Sequence, residues 1–128
     1  MGKLDTALRK TGFKNELRRE DPDDPIPAML AVTDRFENRV DLLAGLRGMD
    51  PGAFGRAVSI PFKGTKLRLV ARENFIAMKC FAGGSQDIID AQQALRTNDE
   101  PVGLDLLRRT THRFGRAAAD MLERLLAT

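Results

Sequence analysis

Residues 79–90 read KCFAGGSQDIID and contain, in order, a lysine, a pair of glycines and two aspartates three residues apart. Apolar residues recur at helical spacing before and after the glycines, which predicts helices over 72–82 and 85–96. The glycine pair ends the first helix, because glycine tolerates the left-handed backbone that closes a last helical turn. The segment therefore predicts two helices joined by a short turn, and it decides how the C-terminal half of the chain folds.

Lys79 falls on the apolar side of the first of these helices, between Phe75 and Ile76 on a helical wheel. An unpaired ammonium in an apolar sector is costly. We therefore expect Lys79 either to extend to solvent or to pair with Asp87 or Asp90 across the glycine turn. The two aspartates are expected mainly to orient the lysine and to hold the two helices together.

Strands are predicted mostly ahead of this segment, and helices dominate after it. The strand over 39–46 has apolar residues on both faces, so it is predicted to be central, with Asp41 as its one acid. Asp50 is predicted to cap a short helix that ends near Arg56, and Ser85 to cap the helix that follows the glycines. The other predicted strands are 13–17, 26–33, 57–62 and 66–70, and the other predicted helices are 3–11, 104–114 and 116–126.

This order of elements predicts an α+β domain. We expect a small mixed β-sheet with packed helices, and a C-terminal helical tail over 98–128 that extends the domain formed by 1–97. The length of 128 residues, with 42% apolar and 30% charged residues, is typical of one folded domain.

The bulk composition limits the partners and the compartment. The net charge is +3, the basic residues are scattered among acids, and Trp and Tyr are absent. Nucleic acid is therefore only a secondary candidate partner. One cysteine, Cys80, excludes an internal disulfide and is typical of a reducing, cytoplasmic compartment. No apolar run approaches the ~20 residues that span a membrane, so no membrane partner is expected.

Three segments in sequence order, with a hairpin after the first, carry a family resemblance. They are 38–43 (NRVDLL), 72–79 (RENFIAMK) and 82–91 (AGGSQDIIDA). Together they resemble minimal nucleotidyltransferases of the polymerase-β-like superfamily, near the nucleotidyltransferase-type toxins of toxin–antitoxin and abortive-infection systems. Members carry an acid on a short strand, a helix of the form E-D-L-I-A-x-K, and a D-x-x-D helix. The resemblance covers residues 5–97.

The resemblance implies a role for each polar residue of these segments. Asp41 would be a catalytic carboxylate and a Mg²⁺ ligand. Lys79 would contact the phosphates of a bound nucleoside triphosphate, and Asp87 and Asp90 would support that site. The residue pattern alone leaves a structural alternative open for Asp41, which is an ion pair with a nearby arginine such as Arg39.

Part of the family pattern has no match in the chain. The family's Gly-Ser or Gly-Gly turn and its Asp-x-Asp strand do not occur ahead of the first helix. Asp21 and Asp23 have the spacing but lie in a proline-rich turn. We therefore expect the chain to correspond to the C-terminal two-thirds of such an enzyme. It would lack the first strand-helix-strand unit and would be catalytically incomplete.

Two further interpretations follow from this. The chain is either a nucleotidyltransferase-like protein or a non-catalytic binding or regulatory protein, such as one member of a toxin–antitoxin-type pair. Missing strands would expose a sheet edge and apolar surface, which predicts a homo-oligomer. The basic residues Arg108, Arg109, His112 and Arg113 form either a positive rim for an acidic partner or an ordinary solvated helix face.

Overall fold

The computed structural model describes residues 1–97 and 100–128, which form two compact units, Met1–Arg47 and Gly48–Thr128. Within these residues there are five α-helices and two β-sheets, which confirms the predicted α+β class. Both sheets are antiparallel, whereas one mixed sheet was expected. Short connections join each strand to its partner, and short connections permit only antiparallel pairing.

The first unit is a three-stranded antiparallel sheet preceded by one helix. The middle strand, β2, pairs with both of the others, and its Leu30 lies opposite Leu17 and Leu42. Leu30 is fully buried, so this row of leucines is the centre of the unit's apolar face. The elements are α1 (Gly2–Lys10), β1 (Lys14–Arg19), β2 (Ala28–Thr33) and β3 (Arg39–Ala44).

The prediction that the Asp41 strand is central is wrong. This strand, β3, is an edge strand with four of its six residues exposed, whereas β2 buries Leu30, Ala31 and Val32. The alternation of β3 places Asp41 and Leu43 on one face, and that face is exposed. Local alternation identifies the two faces of a strand, but its place in the sheet depends on pairing with distant residues.

The second unit begins with a β-hairpin and continues with four helices. Lys63 and Gly64, the two loop residues of the hairpin, both have positive φ, which is the backbone of a type I′ turn. A single 3₁₀ turn (Pro51–Ala53) precedes the hairpin, in place of the longer helix expected to end near Arg56. The elements are β4 (Val58–Phe62), β5 (Thr65–Leu69), α2 (Arg72–Ala82), α3 (Ser85–Arg96), α4 (Leu104–His112) and α5 (Arg116–Leu126).

The core of the second unit lies between its helices. Leu107 of α4 and Leu122 of α5 are almost fully buried there, and each contributes about 2 kcal/mol through removal from water. Gly115, with φ of 106°, separates α4 from α5. No helix among the described residues has the length and apolar character needed to cross a bilayer. The buried core residues are Ile76, Cys80, Ala91, Leu107, Ala118, Leu122 and Leu125.

The junction of α2 and α3 differs from the prediction in one residue. Gly83 adopts the left-handed conformation, and its N–H donates to the Lys79 carbonyl at 3.0 Å, as expected for a helix stop. The N-cap of α3 is Gly84 rather than Ser85. Asp87 reaches back and accepts the Gly84 N–H at 3.2 Å. This is the return contact of a capping box, in which the side chain at the third helical position accepts the N–H of the N-cap residue, and the helix begins at Ser85.

Candidate functional site

Lys79 lies between two carboxylates in the second unit. Its Nζ is 2.8 Å from Oδ1 of Asp87 and 2.8 Å from Oδ2 of Asp90. The ammonium also lies over the ring of Phe75, at 5.5 Å from the ring centre. The predicted pairing is therefore present, and it involves both aspartates. It explains how a lysine is accommodated on this side of α2.

The remaining oxygens of the two carboxylates bind the first turns of α3. Asp87 accepts the Gly84 N–H through its other oxygen, Oδ2. Asp90 accepts the side-chain amide of Gln86 at 2.8 Å through Oδ1. Each aspartate thus contacts Lys79 with one oxygen and its own helix with the other. The cluster fixes the start of α3 against α2, as expected for two aspartates that orient the lysine and hold the helices together, whereas their support of a nucleotide site stays a prediction.

The charges within this cluster compensate each other. Hydrogen bonds to Asp87 and then to Asp90 raise the pKa of Lys79 above its ordinary value. The hydrogen bond from Lys79, followed by that from Gln86, lowers the pKa of Asp90. One ammonium and two carboxylates give a formal charge of −1. A triphosphate approaching Lys79 would therefore meet net negative charge, and it would have to displace both aspartates.

Asp41 belongs to the first unit, where it is paired with an arginine. Arg39 Nε donates to Asp41 Oδ1 at 2.7 Å, and both side chains are about half exposed. Glu16 lies on the same face across the central Ala31, which places it two strands away, or ~10 Å. Glu16 is itself paired with Arg18 at 2.9 Å. The geometry around Asp41 is that of the ion-pair alternative.

The residues around Asp41 do not by themselves form a Mg²⁺ site. Mg²⁺ takes six oxygen ligands at near-octahedral geometry, whereas Asp41 offers one carboxylate whose charge Arg39 compensates. In residues 1–97 and 100–128, no group of three or more His, Cys, Asp or Glu side chains is arranged to hold a metal. Asp21 and Asp23 are exposed in the turn between β1 and β2. The Mg²⁺ role implied for Asp41 stays a prediction.

Cys80 is a core residue. It lies next to Lys79 in the sequence but is buried among the core side chains of the second unit. Burial raises the pKa of its thiol to about 11. The thiolate is the reactive form, so this cysteine is a poor nucleophile at neutral pH.

A polar network around Arg56 was not predicted from the sequence. The Arg56 guanidinium donates to Asp50 and also to the side-chain oxygen of Asn74, the latter at 3.2 Å. Asn74 is only 1% exposed. Asp50 was predicted as a cap, and it does accept the Gly52 N–H at 3.2 Å. The feature of the sequence that could have indicated this network is Asn74, a polar residue at a buried position of an otherwise apolar helix face.

The basic residues of α4 divide into two groups. Arg108 pairs with Glu123 of α5 at 2.8 Å, which is an ordinary surface ion pair. Arg109 and Arg113 instead line a cleft together with Arg56 and Asp50. In the sequence, the basic residues within 108–113 form one group. Their spacing along one helix could not show which of them lie near Arg56.

Comparison of the chain with protein-family models, with curated proteins and with solved structures finds no match in any of the three. The family resemblance therefore stays a hypothesis, and function is inferred from the geometry of the residues themselves.

Proposed function

We propose that the chain is a non-catalytic binding protein that keeps part of a nucleotidyltransferase-like scaffold. One observation carries this proposal: both side chains that the resemblance assigns to the reaction are engaged by opposite charges. Asp41 is paired with Arg39, and Lys79 is held by Asp87 and Asp90. These contacts are typical of structural ion pairs.

The physical basis is the charge that nucleotidyl transfer requires. Two-metal transfer needs a cluster of carboxylates to hold the ions, and cations to neutralise the triphosphate. Asp41 has a guanidinium beside it where a second carboxylate would be needed. The Lys79 cluster is formally negative where positive charge would be needed. Both sites would have to rearrange before they could serve the reaction.

A catalytic nucleotidyltransferase is the second candidate, and the order of the elements favours it. An acid on a strand, then a hairpin, then α2 and α3 follow one another as the resemblance implies. Such an enzyme would need carboxylates from sequence or a subunit beyond these residues. A regulatory role in a toxin–antitoxin-type pair fits the non-catalytic proposal, because such a member acts by contact.

This proposal implies that the first candidate partners are proteins and that nucleotides come second. The apolar face of the β4–β5 hairpin is the surface that we propose for self-association. A nucleoside triphosphate remains a candidate ligand and nucleic acid a weaker one. A cytoplasmic location stays a prediction that follows from the single reduced cysteine.

Titration calorimetry with ATP, in the presence and absence of Mg²⁺, tests the proposal. The Asp41→Asn variant is compared with wild type, and Glu16→Gln is the matched control, because it removes a paired acid from the same sheet face. We expect Mg²⁺ not to increase any ATP affinity, and we expect the affinities of the three proteins to agree within about twofold under each condition. A Mg²⁺-dependent affinity that drops about tenfold in Asp41→Asn alone would refute the proposal.

A further inference from the structure

A cleft of about 380 Å³ in the second unit is lined by three arginines and one aspartate. Arg109 lies in the last turn of α4 and Arg113 is the residue that caps its C-terminus, whereas Arg56 comes from the segment ahead of the hairpin. Asp50 is the acid. Three guanidinium groups and one carboxylate give the lining a formal charge of +2, in a space large enough for a small molecule.

Arg56 is held in place by the residues around it. It donates to Asp50 and to Asn74, a buried side chain of α2. A Cβ on Gly52 would collide with the guanidinium, so glycine at this position leaves room for the arginine. The Nε of Arg56 is buried and has no hydrogen-bond partner among the described residues. The guanidinium is thus fixed in the cleft wall, and its hydrogen-bonding capacity is not fully used.

Arg109 and Arg113 differ from the other arginines of the C-terminal helices. Arg108 pairs with Glu123 of α5, and Arg116 lies 3.9 Å from Asp120 on its own helix. No carboxylate among the described residues of the second unit lies within 4.0 Å of a charged nitrogen of Arg109 or Arg113. Arg109 and Arg113, which have no acid partner within the part of the chain that the structure describes, therefore line the same cleft as Arg56.

The one acid in the cleft already has a partner. Asp50 accepts hydrogen bonds from Arg56 and from the Gly52 N–H, and these contacts lower its pKa, with a smaller contribution from the charge of Arg113. Asp50 is therefore ionised at neutral pH and compensates Arg56. The charges of Arg109 and Arg113 remain available to a ligand.

We propose that this cleft binds a phosphate group, either as the free ion or on a small phosphomonoester. Guanidinium groups bind phosphate oxygens through paired N–H donors, and a doubly charged phosphate matches the +2 lining better than a single carboxylate does. The residues that line the cleft do not include Asp41 or Lys79. The proposed site is therefore independent of the roles that the family resemblance implies.

Calorimetric titrations of the full chain with inorganic phosphate and with AMP test this site, at constant ionic strength set with NaCl. The test variant is Arg109→Gln/Arg113→Gln. The control is Arg116→Gln/Arg124→Gln, which removes the same charge from α5 outside the cleft. We expect saturable binding to wild type and to the control, and at least about a tenfold loss of affinity in the test variant. Equal affinities for the two ligands would identify the phosphate group alone, and tighter AMP binding would identify a phosphomonoester.

Three results would overturn the proposal. One is the absence of saturable binding of either ligand to wild type. A second is an equal loss in the test variant and the control, which would indicate diffuse charge. The third is a lower melting temperature in the test variant with unchanged affinity. This result would mean that Arg109 and Arg113 only stabilise the C-terminal end of α4 through the helix dipole. If the double variant does not fold, Arg113→Gln alone is used and should lose at least about threefold in affinity.

Discussion

At the scale of single residues, Lys79 shows how a cation is stabilised on the apolar side of a helix. Two carboxylates and an aromatic ring surround its ammonium, and each carboxylate also binds the first turns of α3. The lysine therefore links two helices. Its charge contributes to stability, and it is not available to a ligand while both aspartates hold it.

Replacing Lys79 with methionine tests this structural role. Methionine keeps the length of the side chain but leaves two partly exposed aspartates without their cation. We expect a loss of about 1 kcal/mol in the free energy of unfolding, which is modest because the cluster is about a quarter exposed. Urea unfolding of the variant, with Lys66→Met as an exposed control, measures the loss. A change no larger than that of the control would contradict the structural role.

The pH dependence of this loss follows from the two pKa shifts. The pKa of Asp90 is lowered in the folded state, so its contribution is present above its ordinary value and is lost as the pH falls through the lowered pKa. The pKa of Lys79 is raised, so its contribution is complete below its ordinary value and is lost as the pH rises through the raised pKa. The difference between wild type and Lys79→Met should therefore be constant near neutrality and shrink at both extremes.

At the scale of elements, the sequence predicts those features whose signals are local. The bounds of α2 and α5 agree with the prediction, and α3 begins one residue before the start that a Ser85 cap implies, because glycines and apolar spacing mark these helices within a few residues. The contact of Lys79 with the aspartates was also predictable, since only a two-glycine turn separates the helices. The edge position of β3 and the contact between Arg56 and Asn74 could not be predicted, because both depend on residues far apart in the sequence.

The β4–β5 hairpin is the surface that we propose for the predicted self-association. Five of the six residues on one face are apolar, the sixth being Thr65, and four of these five are 40–54% exposed. Edge pairing is disfavoured because Pro61 removes a donor from β4, and because Lys66 and Arg68 would bring like charges together on β5. Two copies are therefore expected to stack face to face. The apolar residues of this face are Val58, Ile60, Phe62, Leu67 and Leu69.

Light scattering at tens of micromolar protein tests this dimer. Leu67→Lys introduces a charge into the apolar face and should give a monomer. Ser59→Lys introduces the same charge on the opposite face and should leave the dimer intact. A wild-type protein that is already monomeric, or a dimer that survives Leu67→Lys, would show that the hairpin face has another role.

At the scale of the whole molecule, the residues that the resemblance assigns to one reaction belong to two different units. Asp41 is part of the first unit, whereas Lys79 and its two aspartates are part of the second. Each of these residues is compensated by charges of its own unit. Their chemistry could not be derived from sequence order, because an acid on a strand serves an ion pair or a metal equally well until its neighbours are known.

The most direct measurement is a nucleotide-transfer assay on the full chain. The purified protein is incubated with Mg²⁺ and each common nucleoside triphosphate, with RNA or protein acceptors, and pyrophosphate release is followed beside an active nucleotidyltransferase. Because no carboxylate cluster that could hold the metals occurs among the described residues, the barrier should be several kcal/mol higher, or the rate several powers of ten lower. We predict pyrophosphate release no greater than in the protein-free control, for wild type and for Asp41→Asn alike. Robust release that disappears in Asp41→Asn would contradict the non-catalytic proposal.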